Sequence, residues 1–530
     1  MTPEAPVAFD DPPRETDAHR VFRTGLRHQG LAVAVVLGIM LCLLMGALDN
    51  FVVLTALPNI LSDLRAPTRG ETFIVSAYLI SSTVAIPIFA KLSDLFDRKR
   101  VLLAGLVIFI GGSILSGVSQ TFNELVFFRA VQGFGSGDFF PVGLSIVAVI
   151  FPPETRARVT GLLSGVFGIA TVAGPLLGAA IVNATTWRWV FYVNIPVGLA
   201  GLILLLAALG PIRPERKGSF DVPGAALLAA WVGSLMFALI EVSEGGWAWT
   251  DPRVIALLAS AVVLVVGFVG WETLRARDPL VPLRLFSRRI VAASGGTTFI
   301  VGMVVFPLAT FLTLFVTYVT LAGGGDASNT VRDVLYFLVI PLVFGAAIGG
   351  NLLTRLAYRP VVVAGLLIST VGLVYFTMVG VSTPTWKLAF GFLPVGGVVA
   401  PLIPIGFGVG MTFPVFLLAV QNQVPEADVG AASGLVQFLQ SLGGSIGLTL
   451  LSSFQQSRFL ALLPAPPVGG CAAPPSAACI AYGQAVVSST ATSFVDVFTV
   501  MLVLTVIGLL LGLFVTGRLP KGAKPIGGGR

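Results

Sequence analysis

The fold is decided by the first long apolar run, residues 32–58, which reads AVAVVLGIMLCLLMGALDNFVVLTALP. A helix needs about 20 mostly apolar residues to cross the roughly 30 Å hydrocarbon core of a bilayer, and this run is long enough. Thirteen further runs of this kind follow it, among them 123–150, 157–183 and 333–354. The sequence therefore predicts an all-α integral membrane protein with fourteen transmembrane helices.

Composition excludes several other classes of protein. Hydrophobic residues make up 55% of the 530 residues and charged residues only 11%, with a mean hydropathy of +0.94. A soluble domain is about a quarter charged, so this chain has too few charges to cover a water-facing surface. The net charge of +7 is spread over loops, which argues against a nucleic-acid partner.

Catalytic and metal chemistry is also poorly supported. The three cysteines are too few for a disulfide scaffold or a multi-cysteine metal site, and the two histidines, His19 and His28, both lie in the N-terminal tail. No GxxxxGK[ST] phosphate loop is present, which excludes an ATP-driven pump within this chain. We expect no enzyme activity, no catalytic residues, no bound metal and no cofactor.

The distribution of positive charge predicts the orientation. About three quarters of the Lys and Arg residues fall on the side that holds both termini, and such residues mark cytoplasmic loops. Residues 1–30 and 518–530 are therefore predicted to be cytoplasmic tails. The longest predicted outer loop, 453–491, contains Cys471 and Cys479, which form either a disulfide or two free thiols.

Ionisable residues inside the predicted spans are costly and so are candidates for function. The candidates are Asp49, Arg129 and Asp138. Asp49 lies about 15 Å deep in the first span, within reach of Arg129 if spans 1 and 4 are adjacent. Proton binding to Asp49 would release that pair. The alternative is a static ion pair that only fixes packing.

Other polar residues of span 4 divide between two faces. Gln132 shares the face of Arg129, whereas Asp138 is nine residues further on and lies on the opposite face of a straight helix. The glycines of this span, Gly133 among them, and Pro141 could distort it enough to change that arrangement. We expect Asp138 to be either a second proton-binding or cation-binding group or a protonated carboxyl that is hydrogen-bonded to a neighbour.

Two further segments have compositions that are typical of helices and loops that move during a conformational change. Gly174, Pro175 and Gly178 predict a kinked, closely packed fifth span, although small residues at this spacing also occur in ordinary membrane packing. The connection between spans 2 and 3, residues 90–100, contains both signs of charge and predicts a cytoplasmic gating loop, or else a purely topogenic cluster. Its candidate residues are Asp94, Arg98, Lys99 and Arg100.

These segments together resemble the major facilitator superfamily, and within it the fourteen-helix drug:proton antiporter family. The resemblance extends from about residue 35 to 515. It rests on signature segments in the first span, the loop after span 2, spans 4 and 5 and the start of span 6, which are Leu48-Asp49, 90–100, 129–133, Gly174-Pro175 with Gly178, and 187–191 with Asn194.

The resemblance implies a domain organisation. It implies an N-terminal six-helix bundle over 31–210, two inserted helices over 211–275 and a C-terminal six-helix bundle over 276–517. It also implies alternating access around a central cavity, with Asp49 as the proton site and Arg129 as its partner. Asn50, Gln132, Gly133 and the span 5 residues Gly174, Pro175 and Gly178 would belong to the cavity and the antiporter motif.

The function implied by this resemblance is proton-coupled export of hydrophobic or cationic drugs by a monomer in the cell membrane of a bacterium. A lipid or glycolipid exporter of the same fold is an alternative, favoured by the long outer segment 381–400. A non-transporting membrane receptor or scaffold is an alternative of another class. It would not require Asp49 and Arg129 at these depths.

Overall fold

A computed structural model of the chain describes most of its residues. The described residues are 26–65, 70–212, 218–243, 246–315, 327–378, 388–390, 393–395, 399–422, 424, 429–465 and 477–518.

Helices dominate the described residues. The first eight are α1 (Leu26–Asp63), α2 (Gly70–Leu95), α3 (Arg98–Val118), α4 (Phe122–Ser136), α5 (Phe139–Ile150), α6 (Pro153–Ala184), α7 (Trp189–Tyr192) and α8 (Asn194–Ala208). The remaining eight are α9 (Val222–Ser243), α10 (Pro252–Leu274), α11 (Arg289–Phe315), α12 (Ala327–Leu352), α13 (Tyr358–Thr377), α14 (Leu402–Gln421), α15 (Val429–Leu462) and α16 (Ala477–Gly512). A 3-10 helix, Leu283–Ser287, precedes α11.

Twelve helical segments among the described residues are long and apolar enough to cross a membrane. A shorter apolar helix spans Tyr336–Leu352, within α12. The predicted spans 157–183 and 333–354 coincide with α6 and α12, which are helical. The chain is thus an all-helical, multi-pass membrane protein in its described spans, and the count of fourteen stays a prediction.

The candidate membrane spans run between two ends of the bundle. We call the end at which α1 begins and α16 ends the tail side, and the opposite end the far side. Helices α1–α8 pack mainly on one another, as do α11–α16, and we call these groups the N-terminal and C-terminal bundles. Helix α9 packs beside α2 and α15, and α10 packs on α9. Trp231 of α9 meets Phe438 of α15 edge to face, with ring centroids 6.0 Å apart.

The predicted span 123–150 is not one continuous helix. It breaks into α4 and α5 at Gly137 and Asp138. Pro141 lacks the backbone N–H that would bond the carbonyl of Gly137, and the glycine itself packs closely on α2, where an added Cβ would lie 2.5 Å from the Cβ of Ala85. Missing backbone bonding and close packing at one point explain the break.

The outer segment 381–400 also differs from the all-α prediction. Leu388–Phe390 pairs antiparallel with Leu393–Val395 in a two-stranded ladder. Strands of three residues are too short for the alternation that marks a strand in a sequence. The segment could therefore be recognised only as a long connection.

Candidate functional site

The carboxylate of Asp49 lies at the centre of a buried polar network in the N-terminal bundle. Its Oδ2 forms an ion pair with Arg129 Nη1. Its Oδ1 accepts hydrogen bonds from Gln132 Nε2 at 2.8 Å and Asn194 Nδ2 at 2.9 Å. Asp49 and Arg129 are each only 1% exposed. The structure thus brings together the predicted pair, and every contact to the carboxylate comes from a donor.

Arg129 is held on three sides. Besides the ion pair, its Nη1 donates to Gln132 Oε1 at 3.0 Å. Its guanidinium carbon lies 4.3 Å from the ring centroid of Tyr78, whose hydroxyl donates to the carbonyl of Gly46. Stacking on an aromatic face favours a desolvated cation. The buried guanidinium is thus compensated by a carboxylate, an amide oxygen and an aromatic face.

Two members of this network were not assigned to it from the sequence. Ser113 Oγ accepts from Gln132 Nε2 at 3.2 Å and from Asn194 Nδ2 at 3.0 Å, and donates to the carbonyl of Phe191. Both Ser113 and Asn194 are buried. Ser113 resembles many serines in membrane helices, and Asn194 was noted only as part of a signature segment. For Asn194, the signal available in the sequence was a polar amide side chain within an apolar run.

Asp138 does not join this network. The helix break orients its side chain toward α3, where a Cβ placed on Gly105 would lie 2.1 Å from Asp138 Oδ2. The side chain is fully buried, and among the described residues neither carboxylate oxygen has a hydrogen-bond partner. The sequence prediction that Asp138 lies apart from Arg129 agrees with this position.

Close helix contacts surround the network. A Cβ on Gly133 of α4 would lie 2.4 Å from the carbonyl oxygen of Tyr78 on α2. On α6, a Cβ at Gly174 would lie 2.3 Å from the Cβ of Phe51, and one at Gly178 would lie 2.0 Å from Thr55 Oγ1. The two span 5 glycines thus pack α6 against the part of α1 that follows Asp49.

The tail-side part of α6 contacts the other bundle instead. A Cβ on Gly161 would lie 2.7 Å from the carbonyl oxygen of Ala346 on α12, and one on Gly165 would lie 3.1 Å from Val343. Small residues let membrane helices approach to backbone distance. Helix α6 therefore contacts α1 in its far half and α12 in its tail-side half.

Asp94 connects the two bundles at the tail side. Its Oδ1 accepts from the backbone N–H of Gly430 at 2.9 Å and its Oδ2 from that of Ala431 at 2.7 Å. It also pairs with Arg98 at 3.4 Å. Unpaired N–H groups and the helix dipole make a helix N-terminus favourable for an anion. Asp94 occupies that position on α15.

The other charged residues of this loop act within the N-terminal bundle. Lys99 Nζ donates to the carbonyls of Leu206 and Leu209 at the end of α8. Asp97 accepts from the backbone N–H of Lys99 at 2.9 Å and so caps α3. Arg100 is exposed.

A second connection between the bundles was not predicted. Arg156, at the start of α6, donates to Asn422 Oδ1 at 3.2 Å. Asn422 at the end of α14 in turn donates to the hydroxyl of Tyr358 on α13 at 2.8 Å. The sequence contains no local sign of this contact, because Asn422 is 266 residues away from Arg156.

Three predicted residues fall outside the described side chains. Asn50 and Pro175 lie in helices α1 and α6, but their side chains are not among those described. Cys479 is disulfide-bonded, and its predicted partner Cys471 lies outside the described residues.

Comparisons with known proteins place this geometry in a family. The family model "Major Facilitator Superfamily" matches residues 39–448. "Multidrug resistance protein 3" of Bacillus subtilis is 32% identical over 426 residues, which are 80% of each chain. A "Triacylglyceride transporter" of Mycolicibacterium smegmatis is 31% identical over 498 residues, 90% of this chain and 86% of the relative.

Solved structures agree on the fold. The human organic anion transporter MFSD10 (TETRAN) superposes with a TM-score of 0.58 at 16% identity, over 89% of this chain and 99% of that chain. At this identity the likeness concerns the fold alone. The family match covers most of the chain, and the protein belongs to the major facilitator superfamily.

Proposed function

We propose that this protein is a proton-coupled secondary transporter that exports hydrophobic or cationic drugs by alternating access. The observation that carries the proposal is the buried Asp49–Arg129 pair with its amide donors. The drug class comes from the relatives, of which one is named a multidrug resistance protein.

The network supports coupling because protonation of Asp49 changes its bonding. The two carboxylate oxygens accept from three donors, and a proton on the carboxyl group removes the negative charge that pairs with Arg129. Breaking one partner of a buried ion pair costs about 3–5 kcal/mol. Proton binding at this point therefore shifts the balance between two arrangements of α1, α4 and α8.

The connections at the tail side support the alternating part of the proposal. Asp94 and Arg156 each join the two bundles there. In our proposal the tail side is cytoplasmic, with both termini inside and fourteen spans, and this conformation is closed toward the cytoplasm. The protein works as a monomer in the cell membrane of a bacterium, and the proton gradient supplies the energy.

Flux in proteoliposomes with an imposed pH gradient tests the coupling. Ethidium, a hydrophobic monovalent cation, is the transported probe, and parent protein is compared with Asp49→Asn. Asp63→Asn is the matched control, because Asp63 ends the same helix, is half-exposed and pairs with Arg188 outside the network. We expect gradient-driven flux to be lost in Asp49→Asn and kept in Asp63→Asn. Undiminished gradient-driven flux in Asp49→Asn would refute the role of Asp49.

Lipid export is the second candidate function, favoured by the relative named a triacylglyceride transporter, which aligns with 90% of this chain. The same proteoliposomes loaded with a fluorescent triacylglycerol separate the candidates. Gradient-driven movement of that lipid, without movement of ethidium, would replace the drug assignment by the lipid one.

A further inference from the structure

Asp138 occupies a position that the proposed coupling site does not explain. It lies in the break between α4 and α5 and is 0% exposed. A Cβ on Gly105 would lie 2.1 Å from its Oδ2 and 2.6 Å from its Oδ1. The carboxyl group therefore fills the space that any larger residue at position 105 would need.

Each neighbouring element presents few ionisable groups to this carboxyl. On α1 the group is the buried thiol of Cys42, which interacts with it electrostatically. On α3 the ionisable group is Arg98. It lies on the same helix face as Gly105, seven residues or about 10 Å away, and it pairs with Asp94. On its own segment it is Arg129, which is engaged by Asp49.

The contrast with Asp49 indicates the state of the carboxyl. Asp49 has an arginine and two amide donors on its two oxygens, so donors compensate the burial of its carboxylate. Neither oxygen of Asp138 has a hydrogen-bond partner among the described residues. Burial of an ionised carboxylate without compensating donors costs several kcal/mol, which a group avoids by binding a proton.

The position of Asp138 along the bundle axis is equally informative. On α3, Gly112 contacts Gln132 of the network and Gly105, seven residues earlier, contacts Asp138, which places Asp138 about 10 Å to the tail side of the Asp49 network. Its neighbour Gly105 is a similar distance from the tail-side pair of Asp94 and Arg98. The carboxyl thus lies between the coupling site and the end of the molecule that the interbundle connections close.

We propose that Asp138 is a second proton-binding group of the transport cycle, loaded in the conformation described here and unloaded toward the tail side when the bundles separate there. On unloading, the O–H bond breaks, the proton passes to a water molecule and the carboxylate remains. The break between α4 and α5 lets the carboxyl move off Gly105 without a change in a continuous helix. The transport part of this inference rests on the proposed function, in which Asp49 carries the other proton.

Infrared spectroscopy of the protein in membranes tests proton binding independently of transport. The carbonyl stretch of a protonated carboxylic acid is followed while the pH is raised from about 5 to about 9, a range in which buried carboxyl groups titrate. We expect a band that titrates, that is lost in Asp138→Asn and that remains in Asp49→Asn. A band that is absent in the parent, or that does not titrate, would overturn the inference.

Gly105→Ala gives a second variant that retains the carboxyl. The added methyl group would lie within 2.6 Å of both carboxylate oxygens, so we expect the band to shift in frequency. An unshifted band would assign the signal to another carboxyl and contradict the inference. This measurement remains informative if Asp138→Asn does not fold.

Electrogenicity tests the role of Asp138 in transport. Exchange of one monovalent ethidium for two protons moves net charge, so in the parent a membrane potential alone should drive flux. In Asp138→Asn only one proton would be exchanged per ethidium. This exchange moves no net charge, so only a pH gradient should drive flux. Equal dependence on potential in the two proteins would overturn the transport role. A parent that responds to neither gradient would refute the proposed antiport itself, while the infrared titration would still decide whether Asp138 binds a proton.

Discussion

Asp94→Asn should weaken closure of the tail side. Asp94 accepts two backbone N–H groups at the start of α15 and pairs with Arg98. Asparagine keeps one acceptor oxygen but presents a donor amide to the second N–H and removes the charge. A hydrogen bond to a charged group contributes about 1.5–3 kcal/mol and the charge at a helix N-terminus about 0.3–1 kcal/mol. We expect a loss of about 2–3 kcal/mol, which shifts the ratio of closed to open states roughly 30- to 150-fold.

Thiol labelling at position 93 measures this shift. Ser93 is buried, and a Cβ on Gly430 would lie 2.3 Å from its Oγ, so α15 covers it. In a Cys42→Ala background, Ser93→Cys should react with a water-soluble thiosulfonate only when the tail side opens. Adding Asp94→Asn should raise the labelling rate roughly 30- to 150-fold. Asp97→Asn is the matched control, because Asp97 bonds only within its own bundle among the described contacts. A labelling rate in Asp94→Asn equal to that of the control would refute the reasoning.

Three further predictions concern packing, the network and acid stability. Gly178→Ala should lower the unfolding free energy by about 1–3 kcal/mol through overpacking, as measured by thermal unfolding. Gly111→Ala is the control and should be neutral or stabilising in the same assay, because an added Cβ there meets nothing within 4 Å. Asn194→Leu should reduce gradient-driven flux and cost about 1–3 kcal/mol of stability, because it removes a donor to Asp49; flux equal to the parent would contradict this. Hydrogen bonds from Trp187 and Arg188 lower the pKa of Asp63, so the stability they add is present at neutral pH and lost as the pH falls through the lowered pKa. A pH series of melting temperatures in which Asp63→Asn matches the parent at neutral pH would contradict that prediction.

The sequence predicted the parts of the fold that depend on one helix at a time. Apolar runs marked the spans, because each helix must satisfy its own backbone in lipid. The pairing of Asp49 with Arg129 was also predictable, because two opposite charges at similar depth in a membrane have few other ways to be stabilised.

The remaining site residues depend on tertiary contacts that one sequence does not reveal. Asn194 and Arg156 find their partners 145 and 266 residues away. Nothing local distinguishes Ser113 from other serines in membrane helices. The glycines and the proline that could distort span 4 were visible in the sequence, but the close packing of Gly137 on α2 at the break was not. Asp496 and Arg458, paired at 2.7 Å between α15 and α16, were likewise not recognised as partners.

Helix α6 is the element through which protonation could control access. The Asp49 network lies wholly within the N-terminal bundle, so on its own it cannot open or close the interface between the bundles. Gly174 and Gly178 pack α6 against α1 just beyond Asp49, and Gly161 packs the other half of the same helix against α12. A movement of α1 that follows loss of the ion pair must therefore displace α6, because helices that touch at backbone distance have no free space between them. In the proposed cycle the same displacement acts on the interface with α12, so we expect small residues at both ends of α6 to matter for coupling as well as for packing.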